Sequence, residues 1–362
     1  MGPAASSEVI KPRAAGPSPR PGPWKGVKRG CLDALQSCLA ATGLASLYVR
    51  LRKVTGATIF NYHSVADRDH ARWVDPRYHM TPKEFERQVK FFATRRSPVS
   101  LGRLVQALEE GRDLPPRSVV VTLDDGYRDH LTVAAPILAK HRIPATFFLP
   151  TGYVERAENQ WVDRLYNAFR SRTRREFRWE GRRFDLEHAD QEREAFREVE
   201  RILLGAACSE RGICLHGVED QLRPELGAPR LTLDWNAARE LQKFSPEFEI
   251  GGHSRDHIDL GSNDRQAVRR EIGDCAVDLR RELGAAARHF SYPYERWTPV
   301  AQEEARNAGF RSASGTGSEF LITARSDRFA LPRLDPAARG STLAFVTSGA
   351  FPGLSRALTG RA

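Results

Sequence analysis

The chain has 362 residues, of which 40% are hydrophobic and 28% charged, with a formal net charge of +10. That apolar fraction excludes a globally disordered chain, and the length suits one large catalytic domain with appendages or two ordinary domains. The basic excess favours acidic partners (anionic lipid, anionic glycan or nucleic acid) and says nothing about fold. Cys31, Cys38, Cys208, Cys214 and Cys275 form no CxxC pair and leave an odd thiol, so they read as reduced, with neither a disulfide framework nor a cysteine zinc site. No apolar run reaches the roughly 18–20 residues that span a bilayer. The first apolar stretch begins only near Cys31 and is broken by Asp33, Gln36 and Ser37, which is not a secretory pattern. A cytoplasmic or membrane-peripheral location is favoured over a secreted one.

In chain order, residues 1–30 are rich in Pro, Gly, Ala and Arg without periodicity and read as a disordered basic tail. Residues 31–55 read as an N-terminal helix with Leu32, Leu35, Leu39, Leu44 and Leu47 as its apolar positions. It either packs on the domain or lies on a membrane surface, aided by Arg50, Arg52 and Lys53. A main domain is expected over 56–345. ATIFNYH (57–63) reads as a strand. Thr81-Pro82-Lys83-Glu84 starts a helix, with Thr as the cap and Pro in the first turn, and Phe85, Val89 and Phe92 follow at helical spacing. SVVVTLDDG (118–126), PATFFLP (144–150), FEIGGHS (248–254), HFSYPY (289–294) and FRSASG (310–315) read as further strands. Helices fall between several of them, one carrying Val268, Ile272, Cys275, Leu279 and Leu283 on one face. Strands alternating with helices predict an α/β fold with a parallel sheet or β/α barrel. Residues 155–230 break the rhythm and read as an insertion, with an Arg-rich stretch, a hairpin around Gly181 and a charged helix near 190–204. Carrying none of the chemical motifs, the insertion is expected to set substrate choice rather than chemistry. Residues 346–362 form a C-terminal extension.

The chemically capable side chains collect at strand ends. His63 ends the first strand, Asp124 and Asp125 the second; His253 and His257 follow another, and Tyr294 closes a fourth. In a β/α barrel the strand C-termini meet on one face. Each feature alone has a plainer reading. Asp124-Asp125-Gly126 also fits an Asp-Gly turn. His253 and His257, four apart, can reach one ion, with Asp125 as third ligand and open positions left for water and substrate. Two His and a carboxylate also describe a non-haem iron site. Tyr292-Pro293-Tyr294 fits either an aromatic strand end or a turn offering the Tyr294 N–H to an oxyanion. His63 is as readily structural as functional.

Taken together and in this order, the motifs resemble the polysaccharide deacetylases, the NodB-homology domain of carbohydrate esterase family four. Thr122-Leu123-Asp124-Asp125-Gly126 is similar to that family's TFDDG, Gly252-His253-Ser254-Arg255-Asp256-His257 to its HSxxH, and Phe290-Ser291-Tyr292-Pro293-Tyr294 to its RxPY. Pro144-Ala145-Thr146-Phe147-Phe148 and Leu233-Asp234-Trp235 add lesser matches. The resemblance spans roughly residues 57–335 and implies a distorted (β/α) barrel of about seven strands carrying the inserted subdomain. It implies Asp124 as general base and a divalent metal, zinc or a similar ion, on Asp125, His253 and His257. Three positions depart from the pattern. Ser291 stands where the family's Arg would orient the base, Glu295 replaces the following Gly, and Leu331-Pro332-Arg333-Leu334 occupies the late strand that elsewhere carries a histidine acid. A subset including the poly-N-acetylglucosamine deacetylases is similar to a circular permutation of the motifs, with that histidine early in the domain; His63 is so placed and is assigned as the acid.

The implied reaction is hydrolysis of the acetamide of an N-acetylated sugar or polysaccharide to acetate and a free amine. Tyr294 is assigned to the oxyanion, an N-acetylated glycan is the expected partner, and the basic N-terminus suits contact with an anionic membrane. An impaired glycan-binding protein of the same fold, to which Ser291 points, and a metal hydrolase of another C–N amide stand as alternatives. Nucleic acid is not expected, because the arginines of the insertion are interleaved with acids and the stacking aromatics that nucleic acid calls for are few.

Overall fold

The structure is a computed structural model that describes residues 56–225, 227–261, 264–284, 287–315 and 321–335, with Thr42, Leu343, Ala344 and Thr347. The tail at 1–30, the helix at 31–55 and the extension at 346–362 lie outside the described residues, apart from Thr42 and Thr347.

Seven parallel strands close a barrel. They are β1 (Ala57–Tyr62), β2 (Ser118–Leu123), β3 (Ala145–Leu149), β4 (Phe248–Gly252), β5 (His289–Ser291), β6 (Ser312–Gly315) and β7 (Leu331–Leu334). Around the barrel the order is β1-β7-β6-β5-β4-β3-β2, and β2 returns to β1 in parallel register, Ala57 against Ser118 through Tyr62 against Leu123. Ser97–Pro98 adds a short eighth strand outside β2. Strands buried on both faces read as largely apolar runs, and every residue of β1, β2 and β3 is buried, Thr58, Asn61, Ser118, Thr122 and Thr146 being the polar exceptions. β4 ends in Gly251-Gly252 because its neighbours leave no room: a Cβ on Gly251 would stand 2.5 Å from the Phe148 ring.

Amphipathic helices cover the outside. Helix α1 (Pro82–Arg95) starts where Thr81 Oγ1 accepts from the Glu84 N–H at 3.3 Å, and it buries Phe85, Val89 and Phe92. The chain leaves the barrel rhythm after β3. Helix α2 (Trp161–Arg170), a hairpin pairing Glu176–Trp179 with Arg182–Asp185, and helices α3 (Ala189–Gly205) and α4 (Cys208–Leu222) follow before β4. They share a core of their own around Leu165, Phe169, Phe177, Phe184, Val199 and Leu215. Several of the arginines here are spent on local acids, Arg172 on Glu192 at 2.8 Å and Arg164 on Glu219 at 2.7 Å. Helix α5 (Arg265–Leu283) then packs Val268, Ile272, Cys275 and Leu279 on the barrel and ends at Gly284, whose φ of 70° supplies the left-handed cap. Cys208, Cys214 and Cys275 are free thiols. No helix among the described residues is long and apolar enough to cross a membrane.

Candidate active site

The strand ladder runs on past the strand ends and places the chemistry. The Asp124 N–H donates to the Tyr62 carbonyl at 2.8 Å, which sets Asp124 beside His63, and the His253 N–H donates to the Leu149 carbonyl at 2.9 Å. Beyond these points the backbone turns sharply. Asp125 (φ 77°), Ser254 (φ 59°), His257 (φ 50°), Tyr294 (φ 56°) and Glu295 (φ 56°) are all left-handed without being glycine. Each such conformation costs on the order of 1–3 kcal/mol and persists only where its surroundings enforce it, typically at functional sites. The strand that was read to end at Tyr294 stops at Ser291, because Pro293 and Tyr294 form a tight turn.

Asp125, His253 and His257 are buried and point at one another. His257 Nε2 lies 3.2 Å from Asp125 Oδ1 and 3.2 Å from His253 Nε2, and His253 Nε2 lies 3.5 Å from Asp125 Oδ1. Three ligands of a tetrahedral cation bound at 2.0–2.1 Å stand about 3.3–3.4 Å apart, so the triangle has the right edge lengths. Asp125 Oδ1 is buried without a hydrogen-bond donor, an orphan that a cation would satisfy. His253 turns its Nδ1 to the Ser291 carbonyl at 2.8 Å, and His257 turns its Nδ1 to Tyr294 Oη at 3.0 Å. Those outer bonds leave both Nε2 atoms free to act as ligands. The donor set therefore fits a divalent ion such as zinc.

Asp124 lies beside the triangle, Oδ2 3.7 Å from His253 Nε2. Its orienting cation is Arg333, from β7. Arg333 Nη1 donates to Asp124 Oδ1 at 2.8 Å and Nη2 to Oδ2 at 2.7 Å, and the guanidinium is fully buried. Ser291 Oγ donates a further bond to Asp124 Oδ2 at 3.2 Å. Ser291 thus does leave a place for a cation, and a residue from another strand fills it. Burial alone would raise the Asp124 carboxyl, but Arg333, with His253, outweighs it and holds the group at about 2.

These groups open into a cavity of about 260 Å³ that also presents His63, Tyr78, Val162, Glu295 and Asp335. His63 stands at its mouth, partly exposed, its ring 5.4 Å from that of Tyr78. Its carbonyl lies 3.1 Å from His130 Nε2. Burial lowers His130 to about 4, so it is a neutral anchor. All six residues singled out from the sequence, His63, Asp124, Asp125, His253, His257 and Tyr294, line this one cavity.

Sequence reasoning missed Arg333. A lone cation inside an apolar strand, Leu331-Pro332-Arg333-Leu334, was the available signal, since a buried guanidinium requires an acceptor. It also missed the support from the insertion. Gln160 Nε2 donates to the Asp125 carbonyl at 2.8 Å, and Trp161 Nε1 donates to Tyr294 Oη at 2.8 Å.

The family model for polysaccharide deacetylase matches residues 111–313. No curated relative matches the chain significantly. Among solved structures, IcaB from Ammonifex degensii is 18% identical, with 81% of this chain and 97% of that one covered and a TM-score of 0.54. The Streptococcus pyogenes deacetylase PplD, in complex with acetate, is 15% identical, covering 81% and 97% at a TM-score of 0.52. A de-N-acetylase from Aggregatibacter actinomycetemcomitans is 17% identical, covering 80% and 99% at a TM-score of 0.51. At these identities the likeness is one of fold.

Proposed function

Because the chain belongs to the polysaccharide deacetylase family, we propose that it hydrolyses the acetamide of an N-acetylated sugar within a glycan, using a divalent cation, zinc by preference. The observation that carries this is the Asp125–His253–His257 triangle standing beside a separate carboxylate, Asp124, inside one cavity. A cation held by the triangle supplies Lewis acidity to the acetyl carbonyl and acidifies the attacking water. Asp124, ionised and clamped by Arg333, accepts the proton of that water. The turn at Tyr294 presents its backbone N–H to the oxyanion. His63, which lines the same cavity, protonates the departing nitrogen, because without that proton the nitrogen would have to leave as an amide anion.

A polymer substrate is favoured by what lies next to the cavity. Val162, Tyr166 and Arg170 share one face of α2, and a second pocket of about 340 Å³ opens around Tyr166, Phe169, Phe196, Arg170 and Arg197. From Val162 to Arg170 the helix rises about 12 Å, room for one or two neighbouring sugar units. The likeness in fold to a de-N-acetylase supports removal of an N-acetyl group. The Ser291 substitution was the one feature favouring an impaired glycan-binding protein, and Arg333 supplies the missing cation. We propose further that the basic N-terminus holds the protein at an anionic membrane surface.

The test is to load the purified chain with zinc, incubate it with a panel of N-acetylated oligosaccharides, and quantify acetate and free amine. Acetate released with an equal yield of amine, and lost on chelation, is the expected result. Intact substrates across the panel would overturn the reading.

A further inference from the structure

Arg211, on α4 of the insertion, is among the largest fully buried side chains in the protein. It has no carboxylate partner among the described residues. Its guanidinium instead serves backbone carbonyls. Nε donates to Leu203 at 3.0 Å and Nη2 reaches Ala206 at 3.4 Å, which fastens it within the insertion. Nη1 crosses to the barrel and donates to the carbonyls of Asp256 at 3.1 Å and His257 at 3.3 Å. Its planar face lies 5.2 Å from the Trp161 ring, a cation–π contact that helps a buried cation do without an acid. The carbonyls it holds belong to the turn that swings His257 into the site at φ 50°.

Trp161 acts on the same ligand by another route. For His257 Nε2 to offer its lone pair to a cation, Nδ1 must carry the ring proton. The acceptor of that proton is Tyr294 Oη, 3.0 Å away. Tyr294 sends its own hydrogen to the His257 carbonyl at 3.1 Å and receives the Trp161 N–H at 2.8 Å. Indole can only donate, so every hydrogen in this ring of bonds has one consistent place. Tyr294 also packs into the insertion's core.

We propose that Arg211 and Trp161 are positioning residues for His257, so that the insertion is a structural part of the metal centre as well as a neighbour of the substrate groove. The inference rests on the metal-dependent reading of the site. It changes the expectation that the insertion is separable from the chemistry. Trimming it removes the Trp161 donor and the Arg211 clamp together, and metal affinity falls with them.

The experiment measures Zn²⁺ affinity by competition with a chromophoric chelator, without reference to turnover. Outer partners of a metal-bound histidine typically tune affinity by about 10–100-fold. Trp161→Phe, which removes one N–H and leaves the ring, is expected to weaken Zn²⁺ binding within that range, and Arg211→Lys to do the same. In a Tyr294→Phe background the Trp161→Phe change should cost nothing further, because the bond it removes is already gone. Circular dichroism and Tm identify variants that retain the fold. Folded Trp161→Phe protein with wild-type affinity, or equal losses in both backgrounds, overturns the inference. A wild-type chain that binds no Zn²⁺ overturns the metal reading and this inference with it; intact wild-type binding with unaffected variants overturns this inference alone.

Discussion

Asp124 and Arg333 stand 209 residues apart in sequence and share two charge-assisted bonds in the barrel interior. Breaking a buried pair by removing one partner typically costs about 3–5 kcal/mol, so Arg333→Met should lower stability on that scale in urea unfolding. It should also change chemistry. Without the guanidinium, burial is opposed mainly by His253 and the Asp124 carboxyl rises from about 2. A base works only when ionised, so the acid limb of the pH–rate profile should move to higher pH. An unmoved acid limb in folded, zinc-loaded Arg333→Met would remove Arg333 from the account. Asp124→Asn separates base from ligand more directly. It should retain zinc by elemental analysis and lose turnover, since an amide cannot accept the water's proton; near-normal kcat would mean that another group is the base. For His63→Ala, kcat on the acetamide should fall by about 10²–10⁴ with metal content unchanged. An activated ester, whose leaving group needs no proton, should be affected far less. Equal losses on ester and amide would make His63 structural.

At the scale of elements, the strands were legible because parallel strands buried on both faces leave runs such as SVVVTL and ATFFL that have no other use. Helix α1 was legible down to its Thr81 cap. β7 was legible only as the late strand that the family resemblance implied, since Leu331-Pro332-Arg333-Leu334 is short and holds a proline and a cation whose role the resemblance did not supply. Arg333 is intelligible only once β7 lies against β1 and its guanidinium reaches across to the end of β2. Gln160, Trp161 and Arg211 were invisible for a related reason: they act through backbone carbonyls and a hydroxyl, which leave no motif.

Asp129 shows the same dependence on packing. Its Oδ2 accepts from Ser64 Oγ at 2.6 Å and ties Ser64–Val65, just past β1, to the segment after the Asp124–Asp125 turn, while Oδ1 is buried without a donor. Burial pushes its carboxyl up to about 6 from 3.8. Between those values the folded chain binds more protons than the unfolded one, so stability falls as pH rises through the window and levels off above it. The wild type should lose on the order of 2–3 kcal/mol relative to Asp129→Asn between pH 4 and pH 7. Parallel stability curves for the two proteins would refute this.

For the molecule as a whole, charge and catalysis occupy different parts of the chain. Residues 1–55 hold nine Lys and Arg and two acids, whereas the site belongs to the barrel. Removing residues 1–50 should leave kcat and KM on a soluble oligosaccharide unchanged and weaken binding to vesicles rich in anionic lipid, at about 1 kcal/mol per basic residue near the surface. Equal vesicle binding by both forms would separate the tail from the membrane. The match to the family runs over 111–313, so His63 and Arg333 both lie outside it. They sit on or next to the two strands, β1 and β7, that pair in register at Ile59 with Arg333 and close the barrel.

That closure has a consequence for how the protein is made. A ribosome delivers Asp124 long before it delivers Arg333. Until β7 arrives, β6 and β1 lack the strand that joins them, and Asp124 lacks its guanidinium partner. The last strand both closes the sheet and carries Arg333 to Asp124. A nascent chain halted before Leu331 should accordingly expose a sticky strand edge and carry no deacetylase activity, although both aspartates and all three histidines of the site have already been synthesised.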